Sequence, residues 1–108
     1  MKWTSRFLSP QAPLILNEIG PVRTKVGQPF NVQPDGQAAL WLKMENATQT
    51  TVAIWGWKRL KTSFVNPNLL TALVTPKELY SKAGQYQIYL LDTKTEKTSN
   101  VLIFTVEE

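Results

Sequence analysis

"AGQYQIYLLD", Ala83 to Asp92, is the stretch on which the reading of this chain turns. Tyr86, Ile88 and Leu90 alternate with Gln85, Gln87, Tyr89 and Leu91. That period of two belongs to a strand, since a helix repeats its faces every 3.6 residues. Ala83 and Gly84 close the turn before it, so Tyr86 stands just inside a strand that follows a corner.

Working outward, the same texture recurs. "TSNVLIFTV" (98–106) follows across the polar turn "TKTEKT", and "LLTALV" (69–74) and "KTSFV" (61–65) precede it. Further back stand "TTVAIW" (50–55), "QAALWLKMEN" (37–46) and "PLILNEIGP" (13–21), the last closed by Gly20-Pro21. "VGQPFNVQPDG" (26–36) carries two turn signals, Gly27-Gln28-Pro29 and Pro34-Asp35-Gly36. Short alternating segments separated by turn residues at such spacings point to a β-sandwich. The one helical signal is "TPKELYSKAG" (75–84). Thr75 can cap, Pro76 suits the first helical position, and Glu78 completes a capping box.

Composition bounds the chemistry. The 108 residues allow one domain, and 43% hydrophobic with 19% charged residues is the balance of a folded chain rather than a disordered one. Twelve Lys and Arg against eight Asp and Glu leave a mild charge of +4, which permits anionic partners without requiring them. With no cysteine and no histidine, disulfides, thiol nucleophiles and imidazole catalysis are excluded, and the familiar Cys/His zinc sites with them. The serines thus lack a histidine base, no Gly-rich phosphate loop is present, and Asp35 and Asp92 stand alone in their turns. The expectation is a non-enzyme with no cofactor or metal. No apolar run reaches the roughly eighteen residues of a membrane span. "MKWTSRFLSPQA" (1–12) reads as a tail or linker, with the flank of a membrane anchor as the alternative. Asn46 in "NAT" fits a glycosylation acceptor but reads as a turn residue.

From Pro13 to Val106 the order of "ILNEIGP", "VGQPF", "VAIWG", "LKTSFVNPNLLTALVTP", "AGQYQIYLLD" and "TSNVLIFTV" resembles the IPT/TIG domains, most of all their bacterial surface-protein versions. The resemblance implies an immunoglobulin-like, two-sheet antiparallel β-sandwich of about seven strands over 13–108, all-β apart from one short helical turn near 76–82. It carries no catalytic residues. It implies a spacer or docking module of an envelope or secreted protein, an extracytoplasmic setting, and a neighbouring domain, another protein or a second copy as partner. The residues agree independently: Tyr86 fits a tyrosine corner, and Ile88 fills the place of the second immunoglobulin cysteine, with Leu40 and Leu42 available opposite. Trp55 departs from the family pattern, standing where a small or polar turn residue is usual.

Taking the family register, the core is Leu40, Leu42, Val52, Ile54, Leu60, Phe64, Leu70, Ala72, Val74, Tyr86, Ile88, Leu90, Leu102, Phe104 and Val106. Ala53 and Trp55 then point outward, as do Tyr89, Leu91, Val101 and Ile103. Those residues would form one contiguous apolar patch on neighbouring strands, with Trp57 close by. A weaker patch on the other sheet would hold Trp41, Leu69 and Leu73. A contiguous apolar patch marks a contact surface, unless the Trp3–Leu8 tail covers it within the chain. The second function class is a carbohydrate-binding module that stacks sugars on Trp55 and Trp57. In "WGWKRLK" the cations Lys58, Arg59 and Lys61 read as protection of an exposed edge, with Arg59 and Lys61 on one strand face. Nucleic-acid binding would need more cations on that side.

Overall fold

The computed structural model describes residues 12–75 and 77–108. The Trp3–Leu8 tail, and Pro76 of the helical corner, lie outside the described residues. Among the described residues nine strands form: β1 (Ile15–Gly20), β2 (Arg23–Lys25), β3 (Ala38–Glu45), β4 (Thr51–Trp55), β5 (Lys58–Arg59), β6 (Lys61–Asn66), β7 (Leu69–Val74), β8 (Gly84–Asp92) and β9 (Leu102–Glu107). Lys77–Tyr80 makes one turn of 3₁₀-helix at the expected helical corner. The strands pair as a four-stranded sheet, β1-β3-β7-β6, and a five-stranded sheet, β2-β9-β8-β4-β5. Without the short strips β2 and β5, this is the strand order of an immunoglobulin-like sandwich. All pairings are antiparallel except β2, which runs parallel to β9.

β8 is central to its sheet, paired to β9 on one side and β4 on the other. Its alternation is realised: Ile88 and Leu90 face the core and are fully buried, while Tyr89 and Leu91 face out and are half-buried. The tyrosine corner also forms. The Tyr86 hydroxyl donates to the Lys82 carbonyl oxygen at 2.7 Å, tying the strand to the corner four residues upstream. Tyr86→Phe is expected to cost about 1 kcal/mol, the net worth of one hydrogen bond with the ring retained. Urea denaturation of the two chains measures it.

The core is where one reading needs correction. In β4 it is Ala53 and Trp55 that point inward, and Val52 and Ile54 that point outward. Trp55 is 2% exposed. It lies directly opposite Ile88 and packs on Phe104 (4.8 Å between ring centroids), Tyr86 (5.5 Å) and Phe30 (6.5 Å, stacked). The physical reason is volume. Alternate positions of "TTVAIW" are apolar on both faces, so periodicity alone cannot orient the strand. Between the sheets, however, the large ring fills the space bounded by Ile88, Phe30, Tyr86 and Phe104, which Val52 or Ile54 would leave part-empty. Val52 accordingly leaves the core. Phe64, Tyr86 and Leu102 pack at its rim, half-buried. Phe30 and Tyr80, which alternation does not flag because they lie outside the strands, complete the aromatic cluster at 5.3 Å in edge contact. Burial raises the Tyr80 phenol above its ordinary pKa.

Candidate functional site

With the inner face of the five-stranded sheet committed to the core, its outer face is built by register. Val52 lies opposite Leu91, and Ile54 opposite Tyr89, across β4 and β8. Gln87 lies opposite Ile103 across β8 and β9. Opposed residues share a face, so Val52, Ile54, Tyr89, Leu91 and Ile103 form one apolar field interrupted only by Gln87. Val101, immediately before β9, and Ile103 are each 44% exposed. Ile54 is 5% exposed although it points away from the core; Tyr89 and Arg59 flank it on the two neighbouring strands.

The structure thus places Tyr89, Leu91, Val101 and Ile103 where the sequence reading put them, and removes Trp55. Val52 and Ile54 take its place; a single apolar segment with both faces occupied gave no signal for choosing them. Trp57 stands apart at the tip of the β4–β5 hairpin, 84% exposed. Gly56, at φ 63°, takes the left-handed first position of that two-residue turn, as the tight connection requires. A platform of paired Trp55 and Trp57 for sugar stacking therefore does not form, because one ring is in the core and the other is in solvent.

The basic cluster is also split. Lys58 and Arg59 lie on β5, the outer strand of the five-stranded sheet. Lys61 lies on β6, the outer strand of the four-stranded sheet, so Arg59 and Lys61 do not share one strand face. The buried Leu60 between them is the point where the chain crosses from one sheet to the other. Cations on two separate edges suit edge protection and leave no single basic stripe.

Among the described residues one carboxylate is buried, and its role is structural. Asp92, at the end of β8, accepts hydrogen bonds from the hydroxyls of Thr48 and Thr50, both at 2.9 Å, and from the backbone N–H groups of Lys94 (2.9 Å) and Thr95 (3.3 Å). Burial pushes its pKa up, but these four donors together outweigh burial and hold it below the ordinary aspartate value. Asn46 is the turn residue expected, at φ 70°, with its side-chain amide donating to the Pro13 carbonyl at 2.7 Å. Among the described residues no helix is long and apolar enough to cross a membrane, and no three Asp or Glu groups gather as a metal site.

No family model matches this chain, and no curated protein matches it in sequence.

Proposed function

We propose that this chain is a non-catalytic immunoglobulin-like module of IPT/TIG type, serving as a spacer or docking unit in a larger bacterial envelope or secreted protein. The observation that carries this reading is the apolar outer face of Val52, Ile54, Tyr89, Leu91 and Ile103. A sandwich needs one buried face per sheet, and the outer face of this sheet is apolar as well over the neighbouring parts of β4, β8 and β9. Burying the second face against another folded surface removes from water an area that its own fold leaves half-covered. The partner is a neighbouring domain or a second copy, and flat sheet faces of this kind suit either.

Sedimentation velocity tests the second-copy form. The parent chain is expected to show a concentration-dependent dimer. A Tyr89→Glu, Ile103→Lys variant should stay monomeric and folded, since neither side chain contributes to the core; losing the Tyr89 ring beside Ile54 should lower its melting temperature only modestly. A parent that remains monomeric at millimolar concentration would show that this face does not pair with itself.

A further inference from the structure

The other sheet carries a different kind of surface. On the outward side of β1-β3-β7-β6 lies a groove of about 520 Å³, within the size range of small-ligand sites. Its floor is set by register. Trp41 on β3 lies opposite Thr71 on β7, and Thr71 lies opposite Ser63 on β6. An indole and two hydroxyl side chains thus stand in one row across three strands.

Each part is held in place. A Cβ at Gly20 would overlap the Trp41 ring, so the indole lies directly on the β1 backbone. The Lys43 ammonium sits 5.3 Å from the ring centroid. One wall comes from the β2–β3 loop, where Asn31 adopts φ 45° and donates its side-chain amide to the carbonyls of Gly20 (3.2 Å) and Ala39 (3.3 Å). Gln33 donates its side-chain amide to the Asn31 carbonyl at 2.7 Å. Both amides are fixed through their NH₂ groups, which leaves their side-chain oxygens as oriented acceptors. Lys61 stands at the rim and is the only ionised residue among the described lining residues.

The groove therefore offers a fixed aromatic surface, two amide acceptors, two hydroxyls and the Lys61 ammonium, with the Lys43 ammonium over the indole. A peptide strand would call for a row of unpaired backbone groups, which the floor of paired strands does not present. Nucleotide phosphates would call for several cations or convergent N–H groups. A ring with one apolar face, several hydroxyls and one carboxylate matches all the parts. We propose that this groove binds an acidic saccharide. The C–H face of one pyranose lies on Trp41, its hydroxyls meet Asn31, Gln33, Ser63 and Thr71, and its carboxylate meets Lys61. This site lies on the sheet opposite the docking face, so the two proposals succeed or fail separately.

Amide and indole resonances followed during titration with trigalacturonate, and separately with neutral maltotriose, test the assignment. Saturable shifts are expected at the Trp41 indole N–H and at Ser63 and Thr71, with trigalacturonate bound more tightly. Trp41→Ala should weaken both sugars by about tenfold or more. Because Trp41 also covers Gly20, Ser63→Glu supplies a variant at an exposed strand position; both sugars lose the Ser63 hydroxyl but only the acidic one meets a like charge, so trigalacturonate should weaken by a clearly larger factor than maltotriose. Three results would overturn the proposal: no saturable shift with either sugar, shifts centred on Trp57 instead, or a triglutamate peptide that binds as tightly as trigalacturonate.

Discussion

Replacing Trp55 by alanine is expected to destabilise the fold by about 3–5 kcal/mol, the range for deleting a large aromatic from a packed core. The ring sits between the sheets against Phe30, Tyr86 and Phe104, and opposite Ile88. Alanine would leave a void that the β4–β8 pairing cannot close without breaking its ladder. Trp55→Phe should cost far less, about 1–2 kcal/mol. The indole Nε1 is buried without a hydrogen-bond partner, so phenylalanine loses volume but also relieves an unpaired donor. Denaturant melts of the two variants separate these effects. If the alanine variant lost less than about 1 kcal/mol, the ring would have to lie outside the core.

The second large effect belongs to Asp92. Its four hydrogen bonds join the β3–β4 loop to the β8–β9 loop, an attachment reinforced where Thr93 donates its backbone N–H and its hydroxyl to the Thr50 carbonyl, both at 3.0 Å. Asp92→Ala is expected to cost about 2 kcal/mol at neutral pH, because four charge-assisted, part-buried hydrogen bonds are lost. The pH dependence has a definite sign. The folded pKa lies below the unfolded value, so the contribution is fully present above about pH 4 and is lost as pH falls through the folded pKa. The parent should therefore lose stability on acidification below about pH 4, and Asp92→Ala should show a shallower fall. Urea midpoints measured across that range give both slopes. Equal slopes would remove Asp92 from this role.

The sandwich was legible because β8 and its corner carry redundant signals. Period-two alternation, a tyrosine just inside the strand and an aliphatic residue two positions on all point the same way, and Tyr86 makes the bond that the motif requires. The outer face was legible on β8 and β9 for the same reason, since Tyr89, Leu91 and Ile103 are fixed by the inward positions of Ile88, Leu90 and Phe104. β4 was not legible by alternation, because Val52 and Ile54 compete with Ala53 and Trp55 for the core. The signal that resolves it is the β4 tryptophan, Trp55, facing Ile88 two positions after the corner tyrosine, a feature of immunoglobulin cores rather than of periodicity. The groove beside Trp41 was out of reach for another reason. Its wall comes from a loop held by side-chain-to-carbonyl bonds at Asn31 and Gln33, and no sequence pattern announces such contacts.

The central claim is that the apolar outer face of the five-stranded sheet is the contact surface. It is tested most directly by placing one spin label at its rim. The chain has no cysteine, so Gln85→Cys gives a single attachment point, exposed and on that face opposite Thr105. Labelled chain is mixed with isotope-enriched unlabelled chain, and intermolecular line broadening is read residue by residue. Broadening is expected at Val52, Ile54, Tyr89, Leu91 and Ile103, with Trp41, Leu69 and Leu73 on the other sheet unaffected. Broadening confined to that other sheet would contradict the claim, and none at any concentration would contradict its second-copy form.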